Sequence, residues 1–413
     1  MSRAALPKQM LVLTGSETML RQTAARVGDA ALFHPPMVVT GTGQAEQVRE
    51  ALGADTPLLI EPLARNTAPA IALATLAALA RDPDAVLLVM PSDHQLQDPG
   101  VLIAAVATAS TAARDGWLVT FGIRAAAPET GYGYIHRGDA IAAAPGVFTA
   151  RAFIEKPDRA RAQALIADGG HSWNSGIFLF SGKAMRAALA THAPAVLAAA
   201  EGAMAAAQHD GQALHADAAA FAASPSISID HAVFEHAERV AVCPIDPGWS
   251  DIGSWDALHA ERSTDAAGNV SNGRVLARDT NGCLLRAEGV VLATIGVNNL
   301  NIIATPDAVL VTARGRSQDI RDIITDLAGD PVLARPIIRH HAWGDEHIIH
   351  DGDGLAVRRC RVEAGHVLSL SADQRVMLLS GAAALDHVAM TIGVQAGGET
   401  VHAASAATLL LFG

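Results

Sequence analysis

The sequence predicts an α/β protein: a doubly wound domain, then a small β-solenoid, then a β-barrel. Three observations carry this reading. Five consecutive apolar residues, Val86 to Met90, follow an Asp82-Pro83-Asp84 break and stop at Pro91. Apolar side chains on both faces suit a central strand of a parallel sheet covered by helices on each side. From Glu17 to Phe121, strand-like and helix-like stretches alternate, the signature of a doubly wound sheet. From Gly268 the helical spacing ends, and short apolar runs alternate with turn residues. These shifts divide the chain into residues 1–265, 266–330 and 331–413.

Taken in order, no strand precedes Pro7. Glu17 to Val27 has helical spacing with Ser16 as cap, and Met37 to Thr40 is a short strand. Gly41-Thr42-Gly43 lacks the third glycine and the downstream acid of a dinucleotide site, so it reads as a plain turn into a helix, Ala45 to Leu52. Leu58 to Ile60 is a strand. Asn66 or Thr67 then caps an alanine-rich helix running to about Arg81. After the Val86 strand come a helix from about Val101 to Arg114 and a strand from Leu118. Tyr132 and Tyr134, two apart, are expected on one face of a strand, so that both or neither line a pocket. Val147 to Ile154 is a strand, Arg159 to Ala167 a helix, and Trp173-Asn174-Ser175-Gly176 leads into a strand, Ile177 to Phe180. Alanine-rich helices cover Lys183 to about Ala207, and Ser228-Ile229-Asp230 opens a helix through Glu235. Val240 to Cys243 is a strand, and Gly248 to Trp255 is a loop entering a helix.

Composition narrows the function. A formal charge of −12 argues against nucleic acid or an anionic membrane as partner, leaving an anionic small substrate met by a local positive cluster. Arginine does nearly all the basic work, because lysines are confined to Lys8, Lys156 and Lys183. Cys243, Cys283 and Cys360 are too few and too scattered for a disulfide frame or a zinc site. No apolar run approaches a membrane span and no signal segment opens the chain, so a cytoplasmic protein is expected.

Asp93 sits just past the Val86 strand. The C-terminal edge of an open α/β sheet is where ligands bind, and a carboxylate there can hold Mg²⁺ against a polyphosphate. The plainer alternative is a helix N-cap. Glu155-Lys156 is likewise either a surface ion pair or part of a site, and Trp173 and His94 read as packing residues.

Several stretches together resemble one family, the mannose-1-phosphate guanylyltransferases, in the long bacterial form fused to a cupin-like type II phosphomannose isomerase domain. They are Ser2-Arg3 with Pro7-Lys8-Gln9, Glu61-Pro62 with Arg65-Asn66-Thr67-Ala68-Pro69-Ala70, and Pro91-Ser92-Asp93-His94. Thr130-Gly131-Tyr132-Gly133-Tyr134-Ile135, Glu155-Lys156-Pro157, Trp173-Asn174-Ser175-Gly176, Ser228-Ile229-Asp230 and Gly248-Trp249-Ser250-Asp251 follow in family order. The resemblance implies a Rossmann-like nucleotidyltransferase domain that forms GDP-mannose and pyrophosphate from GTP and mannose 1-phosphate with Mg²⁺. By it, Asp93 and Asp251 hold the metal, and Lys8 and Lys156 meet phosphate charge. Glu155 and Asn174 read the sugar hydroxyls, Gly131 lets the backbone approach the sugar, and Ser92 and Tyr132 contact substrate. Glu61 pairs with the guanine edge, with Arg65 and Asn66 nearby. A homo-oligomer is also compatible with it. Two other readings stay open: an inactive nucleotide-sugar binding or assembly subunit, and a nucleotidyltransferase for another sugar 1-phosphate.

The sequence departs from the family twice. The family's glycine-rich fingerprint, Gly-Gly-x-Gly-Thr-Arg-Leu-x-Pro, normally lies just before the Ser2-Arg3 segment, where this sequence starts. A phosphate-cradling loop and a first central strand are then wanting, and residues 1–413 are expected to form GDP-mannose at no more than a trace rate. In the last segment, Ala342-Trp343-Gly344 and Gly365-His366-Val367-Leu368-Ser369-Leu370 are family-like, but Ser371-Ala372-Asp373-Gln374-Arg375-Val376 replaces the metal-ligand cluster. His366, His387 and His402 do not restore it, so the barrel reads as a degenerate cupin without isomerase activity.

Overall fold

The computed structural model describes residues 3, 5–341, 343–352, 355–371, 374–393 and 395–412. Ser2, Ala342, Ala372 and Asp373, quoted in the resemblance, lie outside them. The chain divides into two compact units, Val12–Asp251 and Met1–Leu11 with Ile252–Gly413.

In Val12–Asp251 the strands are β1 Val38–Gly41, β2 Leu58–Glu61, β3 Val86–Val89, β4 Gln95–Leu96, β5 Leu118–Arg124, β6 Tyr134–Ala140, β7 Phe148–Ile154, β8 His171–Ser181, β9 Gln208–Asp210, β10 Ala213–His215, β11 Val240–Ile245 and β12 Trp249–Ser250. The helices are α1 Met19–Ala25, α2 Ala45–Leu52, α3 Thr67–Arg81, α4 Pro99–Arg114, α5 Arg159–Asp168, α6 Gly182–His192, α7 Pro194–Ala205 and α8 Ala218–Ala222. They form an α/β domain with three sheets, ordered β1-β2-β10-β9, β3-β8-β5-β11-β7-β6 and β12-β4.

Two apolar layers hold the domain together. One joins α3, α6 and α7 to Leu59, Phe178, Phe180 and Phe234. The other joins α4 to Val119, Phe121, Tyr134, Trp173 and Leu179. β8 serves both, because alternate residues of a strand face opposite ways: Phe178 and Phe180 enter the first layer, Ile177 and Leu179 the second. Phe180 is fully buried, and truncating it to alanine would cost about 3–5 kcal/mol.

The Val86 run corrects the expectation built on it. β3 is an edge strand, and its partner β8 runs antiparallel to it. All four of its residues are half-buried, whereas the first six of β5 are fully buried. Apolar residues on both faces reported the helices α3 and α4 that contact β3, not a central place among strands. β1 is likewise an edge, and the β1 and β3 sheets are not hydrogen-bonded to each other. Parallel pairing does occur, between β1 and β2, β2 and β10, and β5 and β11.

Other boundaries moved for local reasons. α1 starts at Met19 because the Thr18 side chain, not Ser16, accepts from the Arg21 N–H at 3.2 Å. Trp173 to Gly176 lies within β8, where the register against β5 shifts between Thr120 and Gly122. Gly176 takes a left-handed φ of 69° in this bulge, which a side chain would resist. The short β9–β10 hairpin follows the alanine-rich helices and extends the β2 sheet. The Asp230 segment is a single wide turn, Asp230–Phe234.

In the other unit, β13 Val270–Arg278, β14 Leu284–Ile295 and β15 Leu300–Ala304 stack in parallel, and β16 Val309–Ala313 closes them antiparallel. This is the predicted solenoid, with Cys283, Leu285 and Ile302 buried inside it. Buried Asn269 stitches adjacent turns, accepting from the Cys283 N–H at 2.9 Å and donating to the Thr280 carbonyl at 2.7 Å. The Arg3 guanidinium pairs with Asp307 and donates to the Arg335 carbonyl at 3.0 Å. The described residues between 338 and 412 form two antiparallel sheets, a cupin-like β fold, with Val362, Val376, Leu378, Val401 and Leu409 packed as its core. Among the described residues, no helix is long and apolar enough to cross a membrane.

Candidate functional site

The shortest sheet organises the site. β4 and β12 pair antiparallel, Leu96 opposite Trp249 and Gln95 opposite Ser250. One step further along this ladder sets Asp251 opposite His94, next to Asp93. Two carboxylates far apart in sequence thus reach one sheet end.

Neighbouring rings flank both and hydrogen-bond one of them. The Trp249 indole N–H donates to His94 Nδ1 at 3.2 Å. An indole N–H can only donate, so a neutral His94 carries its proton on Nε2. That nitrogen lies 3.9 Å from Asp93 Oδ1. Arg26, buried among these groups with its pKa pushed down to about 10 by desolvation, donates to the His94 carbonyl. On the other side the Tyr132 hydroxyl donates to Asp251 Oδ1 at 2.8 Å. The Tyr132 ring packs edge-on against Trp173 at 5.2 Å and Trp249 at 5.1 Å. Asp93 is no helix cap: Asp98 caps α4, accepting from the Gly100 N–H. Ser92 lies half-buried in the turn between Pro91 and Asp93.

The paired tyrosines pack against one apolar layer but differ in burial and in hydroxyl partner. β6 begins at Tyr134, so Tyr132 precedes the strand and its alternation does not apply. Tyr134 is fully buried, its hydroxyl donating to the Glu129 carbonyl at 3.0 Å, while Tyr132 meets Asp251.

A second cluster gathers at the ends of β7 and β8. Lys156 Nζ sits 2.5 Å from Glu155 Oε1, on a backbone held at φ 42°. Asn174 donates from Nδ2 to Asp230 Oδ1 at 2.8 Å, and its Oδ1 accepts from Thr120 at 3.0 Å and from the Gly176 N–H at 3.2 Å. The β8 bulge therefore fixes which way its amide points. Burial, and then the negative charge of Glu155, pushes Asp230 up to about 6. Gly133 is required here, since a Cβ would lie 2.7 Å from Glu155 Oε2 and 3.4 Å from Asn174 Cβ. Gly131, by contrast, faces open space.

At the end of β2, Glu61 has a buried Oε2 without a hydrogen-bond partner, and burial raises its pKa. A buried acceptor left unpaired is costly, so the position suits an N–H donor from a ligand. Asn66 is the α3 cap, its Oδ1 accepting from the Thr67 N–H at 2.8 Å. Arg65 donates to the Ala222 carbonyl at 3.0 Å, and its Nε is buried without a partner. Lys8 belongs to the other unit, in a short turn from Lys8 to Met10.

Sequence reasoning passed over Arg26, Trp249 and Asp230 as site residues. Trp249 and Asp230 stood inside quoted motifs and needed only their contacts. Arg26, near the end of an amphipathic helix, gave no signal. The donor chemistry suits a hard divalent cation: the carboxylates of Asp93 and Asp251 follow the paired β4 and β12 ends, and Asp251 is oriented by the Tyr132 hydroxyl.

Residues 1–268 match the Nucleotidyl transferase family, and residues 273–327 match the MannoseP isomerase/GMP-like beta-helix domain. The chain is 37% identical to the alginate biosynthesis protein AlgA of Pseudomonas aeruginosa, over 90% of this chain and 78% of that protein. It is 38% identical to mannose-1-phosphate guanylyltransferase of Escherichia coli K12, over 90% of this chain and 79% of that protein. A crystal structure described as mannose-1-phosphate geranyltransferase from Thermus thermophilus superposes with a TM-score of 0.70 at 34% identity, covering 79% of this chain and 94% of that one.

Proposed function

The chain belongs to the nucleotidyl transferase family, and on that premise we propose that it forms GDP-mannose and pyrophosphate from mannose 1-phosphate and GTP. A phosphate oxygen of the sugar attacks the α-phosphorus of GTP, and the bond to pyrophosphate breaks. No proton need leave the nucleophile. Negative charge crowds the centre, so catalysis rests on positioning and on cations. The likeness to a protein named for alginate biosynthesis points the product toward polysaccharide assembly.

The observation that supports this reading is the β4–β12 pairing, whose strands end one residue from Asp251 and two from Asp93. A bound Mg²⁺, held by these two carboxylates, would act as a Lewis acid on the phosphate oxygens. His94 and Tyr132 hold the carboxylates in register, and Lys156 neutralises the sugar phosphate. Glu155 and Asn174, backed by Asp230, accept and donate to mannose hydroxyls. A sugar whose hydroxyls do not match these half-buried groups would lose those hydrogen bonds, which gives discrimination. Glu61 accepts from the N1–H and N2–H edge of guanine, and Arg65 supplies a nearby positive charge.

The test is substrate choice. Purified protein with Mg²⁺ is offered GTP, ATP or UTP with mannose 1-phosphate or glucose 1-phosphate, and the nucleotide sugar is identified by mass. GDP-mannose as main product supports the reading. A different pair preferred tenfold or more would move the protein to another sugar nucleotide.

A further inference from the structure

Away from Asp93 and Asp251, a second group of metal-ligating side chains meets at one edge of the domain. β6 and β8 pair so that His136 stands opposite His171. Their rings stack, centroids 4.5 Å apart and planes 17° from parallel. Asp168, the last residue of α5, brings its Oδ2 to 3.3 Å from His171 Nδ1. One donor atom from each of the three lies within 4.8 Å of the others, and among the described residues this is the one such group.

An independent feature points to a ligand. The His171 side chain is only 6% exposed, and its Nδ1 is buried with no hydrogen-bond partner. Asp168 attracts the ring and the Leu165 backbone hydrogen-bonds to it, yet Nδ1 itself is left without a hydrogen-bond partner. A buried ring nitrogen without a partner is costly, and coordination would satisfy it.

We propose that His136, Asp168 and His171 bind one divalent cation of the zinc type, clipping the end of α5 to the β6–β8 pair. Two imidazoles and one carboxylate are the donor set of a borderline cation such as Zn²⁺, whereas Mg²⁺ takes oxygen ligands. The site is thus chemically distinct from the aspartate pair. Bonds of about 2.0–2.1 Å at tetrahedral angles put donor atoms about 3.4 Å apart, so no separation need close by more than about 1.4 Å. Stacked rings aim their in-plane lone pairs side by side, so the half-buried His136 ring must turn toward His171 Nδ1, and exposed Asp168, already 3.3 Å from that nitrogen, follows. The strand register keeps the two histidine backbones opposite each other. A fourth position remains for water on the exposed side. The role is structural: β6 and β8 carry Tyr134, Trp173 and Asn174, and the clip ties α5 to them.

The test uses the whole chain, stripped with a chelator and then titrated with Zn²⁺ against a chromophoric chelator, with excess Mg²⁺ present throughout. We expect one Zn²⁺ per chain to be retained, with a raised melting temperature. Co²⁺ in its place should give the visible bands of an imidazole-bound tetrahedral ion. His136→Ala, at a half-buried position, and Asp168→Asn, at an exposed one, should keep the metal-free melting temperature within a few degrees. Each should weaken Zn²⁺ binding by more than the 10–100-fold typical of losing an outer-shell partner. His171→Ala is secondary, because that ring is buried and its loss can unfold the edge. Failure to retain Zn²⁺ would overturn the proposal, as would retention undiminished in both His136→Ala and Asp168→Asn.

Discussion

Gly133→Ala should impair use of the sugar while leaving the fold nearly intact. The added Cβ would stand 2.7 Å from Glu155 Oε2, where ordinary contact begins at 3.4 Å, so the carboxylate must retreat by about 0.7 Å. It is the far end of a flexible side chain and can do so. Phe153 Cε1, at 3.2 Å, must also give by a few tenths of an ångström. Stability should therefore fall by about 1 kcal/mol, the low end of overpacking costs. Activity should fall more, because misplacing a positioning group by about 1 Å costs roughly 10²-fold, or about 2.7 kcal/mol. The assay is pyrophosphate release at varied mannose 1-phosphate and saturating GTP. A double-mutant cycle isolates the cause. Glu155→Ala should lose about 10²-fold in kcat/KM for mannose 1-phosphate. Adding Gly133→Ala to it should cost no more than about twofold further, since the obstructed group is gone. Losses that multiply to about 10⁴-fold, or a Gly133→Ala enzyme with unchanged kcat/KM, would refute the reasoning.

Asp93→Asn and Asp251→Asn should each lower kcat by about 10²–10³-fold, with melting temperatures near wild type; a near-wild-type rate removes that residue from the metal site. Tyr132→Phe keeps the ring against Trp173 and Trp249 but removes the 2.8 Å bond to Asp251, so kcat should drop at least about tenfold, and an unchanged kcat denies the orienting role. Asp230 has a folded pKa of about 6, above its ordinary 3.8, so the folded state holds its proton where the unfolded state has lost it. Stability should thus fall as pH rises from about 4 to 6, and Asp230→Asn should melt higher than wild type at pH 7–8, by at most about 3 kcal/mol, and converge with it below about pH 4. No divalent metal should confer interconversion of mannose 6-phosphate and fructose 6-phosphate, measured by coupled assay, and a metal-dependent rate above background would reverse that expectation.

Much of this architecture was legible because local chemistry dictated it. α2 and the α3 cap at Asn66 fell where spacing and capping residues put them. The solenoid showed as apolar runs punctuated by glycine and asparagine. Strand order was not legible: the Val86 run reported helices on both its faces and could not say that β3 is an edge. The β8 bulge was also hidden, since nothing in Trp173-Asn174-Ser175-Gly176 distinguishes a loop from a strand with one residue in a left-handed turn. For the site, the motifs marked most of the polar groups that now cluster, including Asp93, Asp251, Glu155 and Asn174. What they lacked was the supporting contacts. Arg26 lies nearly 70 positions before the His94 carbonyl it holds, and Trp249 comes more than 150 after the His94 ring it orients.

The most direct measurement of the central claim is product formation by the whole protein and by its Asp251→Asn variant, side by side. Both are supplied with GTP, mannose 1-phosphate and Mg²⁺, and GDP-mannose and pyrophosphate are quantified together. Product identity and dependence on Asp251 decide the matter at any rate, fast or slow. The account predicts the two products in equal amounts from the wild type, and a fall of at least about 10²-fold in the variant. Pyrophosphate released without mannose 1-phosphate, or equal GDP-mannose from both proteins, would contradict it.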